Sequence, residues 1–187
     1  MGQTYELIDA KLREWLSAQK IFFVATAPLS QEGHVNCSPK DGDSFRVLDE
    51  KTLVYLDLTG SGVETIAHVR ENGRIVLMFC AFEGGPRIVR VHGRGSVVGP
   101  DEEAFAELAS RFPTTWLDGV RSIIVVTAER ISDSCGYGVP LMVFGAHRRQ
   151  MAEWVERKGE DGVRAYQAEK NAESLDGLPG LKNVTPG

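Results

Sequence analysis

Arg74-Ile75-Val76-Leu77-Met78-Phe79-Cys80-Ala81-Phe82, then Glu83-Gly84-Gly85-Pro86, then Arg87-Ile88-Val89-Arg90-Val91-His92-Gly93-Arg94-Gly95-Ser96-Val97-Val98 is the stretch on which the fold turns. Two runs rich in β-branched and aromatic residues flank a glycine- and proline-containing turn of hairpin length, the pattern of two antiparallel strands. In the second arm Ile88, Arg90 and His92 alternate with Arg87, Val89 and Val91, so one face of that arm is polar and the other covers a core.

The same signals continue outward on both sides. Upstream, strand-like runs cover Ile21 to Ala27, His34 to Ser38, Phe45 to Leu48 and Leu53 to Leu58, separated by turn residues such as Pro28 to Gly33 and Asp41 to Ser44. Between Gly60-Ser61-Gly62 and Asn72-Gly73 the period changes, with Val63, Ile66 and Val69 marking a short helix that ends at a C-cap pair. Downstream, Asp101-Glu102-Glu103 open a helix with Phe105, Leu108 and Phe112 on its apolar side, and residues 121 to 132 carry the last strong strand signal. At the start of the chain, Leu7, Ile8, Leu12, Trp15 and Leu16 recur at helical spacing after Thr4, which predicts a helix over residues 5 to 19 with Thr4 as N-cap. Arg148 to about Lys170 reads as helical with an interruption around Gly159 to Gly162, and an extended tail is expected from Leu178-Pro179-Gly180.

Six or seven strands joined mostly by tight turns, with only short helices between, predict a mainly β (α+β) fold: a closed antiparallel barrel with peripheral short helices rather than a parallel βαβ sheet. A length of 187 residues suits one domain over 1–187, its barrel core at about 20–132 and a C-terminal helical segment and tail at about 147–187.

Composition narrows the function classes. With 21 Lys and Arg against 26 Asp and Glu, the net charge is −5 and no basic block exists, which argues against nucleic-acid and anionic-membrane partners. Cys37, Cys80 and Cys135 form no C-x-x-C pair, and the N-terminus lacks a basic and apolar leader, so a cytoplasmic location and no membrane insertion are expected. His34, His68, His92 and His147 show no metal-ligand spacing, and no G-x-S-x-G elbow is present, so neither a metal site nor a serine hydrolase is expected.

Two segments carry candidate chemistry. In Asp57-Leu58-Thr59-Gly60-Ser61-Gly62-Val63-Glu64-Thr65 a strand end meets a small-residue turn and a helix start. The glycines admit close backbone approach, while Ser61, Thr65 and the N–H groups of the helix suit an anion. The same residues also read as an ordinary glycine-rich loop. In Ser38-Pro39-Lys40-Asp41-Gly42-Asp43-Ser44-Phe45-Arg46, Lys40 and Arg46 bring positive charge to the same anion or are solvated surface charges. Cys135, within Ser134-Cys135-Gly136-Tyr137-Gly138-Val139-Pro140, is expected to be a buried small hydrophobe.

In combination and order, Phe22 to Ala27, Val35 to Lys40, Phe45 to Asp49, Leu53 to Asp57, Gly60-Ser61-Gly62, Glu71 to Ile75, Leu77 to Phe79 and Arg87 to Gly93 resemble the pyridoxamine 5′-phosphate oxidase-like family of flavin-binding split barrels, in particular its bacterial branch of uncharacterised related proteins. The resemblance covers roughly residues 20 to 98. It implies an antiparallel split barrel that forms a homodimer with FMN at the subunit interface, and Ser38, Lys40, Arg46, Ser61, Gly62 and Thr65 as residues of the cofactor site. Two departures matter. Relatives with well-defined FMN sites often carry arginine or lysine in the turn where this chain has Gly62-Val63-Glu64, and the C-terminus lacks the Trp- and Arg-rich segment of true pyridoxamine phosphate oxidases. The expectation is therefore an FMN-dependent oxidoreductase acting on an unidentified small molecule, not vitamin B6 oxidation. The alternatives are the deazaflavin F420 as cofactor, or a non-catalytic flavin-, F420- or haem-binding or sensing dimer. Tyr137 and His92 are the available proton donors.

Overall fold

The computed structural model describes residues 2–117 and 119–181. Its strands are β1 (Thr4–Tyr5), β2 (Ile21–Thr26), β3 (Asn36–Asp41), β4 (Phe45–Val47), β5 (Thr52–Leu58), β6 (Arg74–Cys80), β7 (Ile88–Val98) and β8 (Val120–Ser134). The helices are α1 (Ala10–Ala18), α2 (Glu64–Asn72), α3 (Glu103–Ala109) and α4 (Gln150–Lys170). All ladders are antiparallel, in the order β3-β2-β6-β7-β8-β5-β4, with β1 added alongside β8.

The two outermost strands of this path, β3 and β4, are consecutive in the chain and are joined by one 3-10 turn, Gly42–Ser44. The sheet therefore curls until its two edges meet at a single corner, the split barrel expected from the sequence. Gly42 is required there: a Cβ would collide with the Gln19 carbonyl, and its own N–H donates to Lys20 O at 3.0 Å. Pro39, which cannot donate to a ladder, is tolerated because β3 is an edge.

Alternation in β7 places Val89 and Val91 inward while Arg90, His92 and Arg94 face outward. The barrel interior closes around Phe22, Phe45, Tyr55 and Phe79. Phe22 stacks on Phe79 at 5.3 Å between centroids, and Phe45 meets Phe79 edge-on at 4.9 Å. Leu12 and Leu16 of α1 join this core. The α2 helix ends as expected, with Gly73 in the left-handed region at φ 70°.

Two expectations are corrected. The N-terminal helix starts at Ala10, not residue 5: Asp9 caps it by accepting from Leu12 N at 2.7 Å, while Thr4 and Tyr5 pair with Ser132 and Ile131 as a short strand. An edge position beside β8 outweighs the helical spacing of Leu7 and Ile8. The tail is compact rather than extended as far as residue 181. Gly177 turns the chain at φ 73°, Glu173 bridges to Pro179, and Leu181 packs on the barrel core. Residues 182–187 lie outside the described residues. Between β8 and α4, residues 136–149 run as a strap past the β6–β7 hairpin, with Met142 N donating to Phe82 O at 2.9 Å and Tyr137, Leu141, Met142 and Val143 exposed.

Candidate functional site

At one end of the barrel the apolar interior gives way to a buried charge cluster. Asp57, the penultimate residue of β5, is fully buried. Each of its oxygens takes a cation: Lys40 Nζ from β3 at 2.8 Å, and Arg121 Nε from β8 at 2.8 Å. Burial alone would raise the Asp57 carboxyl, but attraction to Lys40 and Arg121 holds it below its ordinary value, so it is charged. Arg121 also donates through Nη1 to Gly62 O at 2.8 Å, tying this floor to the turn before α2.

A second network lies beside it. Ser38 Oγ donates to Asn36 Oδ1 at 3.2 Å, and the Asn36 amide donates to Thr65 Oγ1 at 3.0 Å and to Thr26 Oγ1 at 3.3 Å. Thr26 Oγ1 also shares a hydrogen bond with His68 Nδ1, 3.0 Å away. His68 is fully buried, and Nε2 has no partner among the described residues. Burial lowers the His68 pKa, so the ring is neutral.

Lys40 and Arg121 of the first network and Asn36, Ser38 and Thr65 of the second line a cavity of about 390 Å³, with Asp57 and His68 buried behind them. Of the six residues singled out from the sequence, Ser38, Lys40, Ser61, Gly62 and Thr65 line it together. Arg46 is placed elsewhere. Its Nη1 donates to Asp43 O and Phe45 O at 2.9 and 2.6 Å, and its guanidinium lies over the Phe112 ring at 4.9 Å. At the cavity mouth, the α2 N-terminus has no side-chain cap. The C-terminal segment holds the turn from outside: Asn171 Nδ2 donates to Gly60 O and Gln167 Nε2 to Thr59 Oγ1, both at 2.8 Å.

Sequence reasoning missed Asp57, Arg121, Asn36, Glu64 and His68 as members of this site. A charge inside a strand of otherwise apolar residues was the available signal, at Asp57 behind Leu53 to Leu56 and at Arg121 ahead of Ile123 to Val126. A wider groove of about 1170 Å³ runs between α4 and β7–β8. Arg121 reaches it too, but it contains none of the six expected residues. His92 and Tyr137 are exposed and line neither cavity. Cys135 is exposed rather than buried, a correction: β8 ends at Ser134, so nothing continues the sheet over the next residue. His147 meets Asp41 at 2.7 Å and Asp43 at 3.3 Å, a grouping made by the strap's return to the Gly42 corner and invisible to residue spacing.

A curled antiparallel sheet with a basic residue, hydroxyls and an uncapped helix start at one end has the architecture of a split barrel. The comparisons make this specific: the family model described as pyridoxamine 5′-phosphate oxidase matches residues 8–135, and the chain belongs to that family. A protein of Aspergillus flavus named pyridoxamine 5′-phosphate oxidase family protein ustO is 39% identical over 197 residues, spanning 96% of this chain and 78% of its own length. Among solved structures, a HupZ from Group A Streptococcus has a TM-score of 0.52 at 23% identity, over 68% of this chain and 99% of that one. An FMN-binding protein from Syntrophomonas wolfei has a TM-score of 0.50 at 18% identity, over 64% of this chain and 80% of that one. These structural likenesses show the shared fold.

Proposed function

We propose that the protein is a flavin-dependent oxidoreductase that binds FMN with the phosphate in the 390 Å³ cavity and acts on a small molecule other than a B6 vitamer. The observation that carries this is the convergence on one cavity of two separate segments, Ser38 and Lys40 from β3 and Ser61, Gly62 and Thr65 from the turn before α2 and its first turn. The donor chemistry fits a phosphate: an ammonium, three hydroxyls and the N-terminal amides of α2. Bound FMN supplies reversible one- and two-electron transfer at its ring system. The chain's own residues bind and orient. Lys40, fixed against Asp57, presents its remaining N–H bonds to an anion, and Arg121 holds the Gly62 carbonyl so that the turn keeps its shape.

Family membership and the FMN-binding structural relative support the cofactor assignment. The same fold supports a homodimer with the flavin at its interface, to which the exposed apolar residues of the strap contribute. A second reading, a flavin-binding module without turnover, is favoured by one observation: Asp57 and Glu64 balance Lys40 and Arg121, leaving no surplus positive charge around the cavity.

The test is the visible spectrum of the purified protein before and after FMN addition, with mass spectrometry of any released ligand, followed by reduction with NADH or NADPH and reoxidation. Bound flavin that cycles supports the enzyme, and bound flavin that does not cycle supports the module. A protein that neither carries nor takes up FMN overturns both, and a released deazaflavin replaces FMN by F420.

A further inference from the structure

The place where an anion would meet the start of α2 already holds one. Glu64, in the first turn of α2, folds back so that Oε2 lies where a side chain on Gly62 would begin, and Oε1 accepts from Leu175 N at 3.2 Å. Glu64 lines the same cavity as Lys40 and Arg121. The charged groups there sum to zero, because Asp57 consumes one positive charge in the floor and Glu64 offsets the other at the mouth. A dianion entering this cavity meets a carboxylate at contact range, where repulsion in a partly buried setting is far stronger than in water. An uncharged ligand of the same outline meets no such opposition.

We propose that Glu64 is a built-in anion set at the phosphate position of the cavity. It must turn away when a phosphorylated ligand binds, which sets selectivity against dianions and links occupancy of the cavity to release of the 171–181 segment at Leu175. This rests on the cavity being the phosphate site of the proposed flavin reading. Leu175 is itself exposed, so breaking the Glu64 contact costs the segment little buried surface, and Asn171 and Gly180 retain their own backbone anchors. The carboxylate is thus held loosely enough to be displaced and close enough to matter.

The experiment compares wild type with Glu64→Gln, which keeps shape and the acceptor for Leu175 while removing the charge. FMN and riboflavin are titrated by flavin fluorescence, and inorganic phosphate by hydrogen exchange at the Leu175 amide. In Glu64→Gln, FMN and inorganic phosphate should bind about tenfold tighter, with riboflavin unchanged, a difference of about 1.4 kcal/mol. In wild type, phosphate should speed exchange at Leu175. Flavins that bind with an unchanged FMN-to-riboflavin ratio, together with unchanged phosphate affinity, would overturn the Glu64 assignment and leave the flavin reading standing. Phosphate tightening without binding of either flavin would do the reverse. No binding of flavin or phosphate to either protein overturns both.

Discussion

The middle of the barrel and its open end are built on opposite principles from the same strands. In the middle, Phe22, Phe45 and Phe79 pack ring to ring with no polar atom among them, and stability comes from volume and excluded water. Two residues along β5 from Tyr55, Asp57 sits just as deeply buried, and there every gain depends on partners: one carboxylate between two cations. A change in the interior is a loss of contact, whereas a change at the end uncovers a charge. The end is costly to build, because each buried charge must be matched by a partner.

The comparison can be broken in several places. Phe22→Ala should cost about 3–5 kcal/mol in denaturant unfolding, with residual flavin binding intact in the folded fraction. A loss under about 1 kcal/mol would mean that the interior rearranges freely. Asp57→Asn leaves Lys40 and Arg121 facing a neutral amide, and should destabilise by roughly 3 kcal/mol while also deforming the cavity. If the variant is as stable as wild type, the ion cluster is not what organises that end. For binding, Lys40→Ala should weaken FMN by about 1.5–3 kcal/mol in a fluorescence titration, and Arg46→Ala by less than about 0.5 kcal/mol because its guanidinium is spent on backbone carbonyls. Equal losses in the two would extend the site beyond the cavity to the Phe112 side.

Acid tests the polar end through His68 and Asp57. Burial lowers the His68 pKa below its ordinary 6.5, so the unfolded chain takes up a proton that the folded one resists. Stability contributed by neutral His68 is complete above about pH 6.5 and is lost as pH falls through the lowered folded value. Asp57, also lowered, adds its loss only at much lower pH, as its carboxylate is titrated. Thermal melts from pH 7 to 5 should fall in wild type and flatten in His68→Gln. The smallest effect belongs to the boundary. The Tyr55 hydroxyl is fully buried with no partner among the described residues, so Tyr55→Phe should change stability by less than about 0.5 kcal/mol or raise it, and a clear loss would reveal a hidden partner at the junction.

Most of the interior is legible in the sequence. Alternation and β-branched runs give β2, β5 and the β6–β7 hairpin nearly to the residue, and Asn72-Gly73 ends α2 where the structure ends it. These features are local, set by period and backbone preference. The polar end was legible only in part. Ser38, Lys40, Ser61, Gly62 and Thr65 were visible as anion-binding types near turns. Arg121 and His68 were not, because their roles come from partners 64 and 42 residues away. Arg46 looked equivalent to Lys40 by charge and turn proximity. It differs because β4 turns it toward Phe112, a direction that composition does not encode. The N-terminal helix was drawn too long for the same reason: pairing with β8 is a long-range fact competing with local helical spacing.

The fifteen residues of β8 pair with β1, β5 and β7, and supply Arg121 to the charge cluster. Seen from the ribosome, this makes the fold an assembly that waits. Strands β1 to β7 are all translated before β8 emerges. Until then β5 and β7 each lack a neighbour, and Asp57 has only Lys40. The nascent chain thus carries two open strand edges and an incomplete core for as long as it takes to add residues 99 to 134, several seconds at typical elongation rates of roughly 5–20 residues per second. A slow-codon cluster or stall just ahead of Val120 would lengthen that exposure, and the cell would meet it as a demand for chaperones rather than as a loss of final stability.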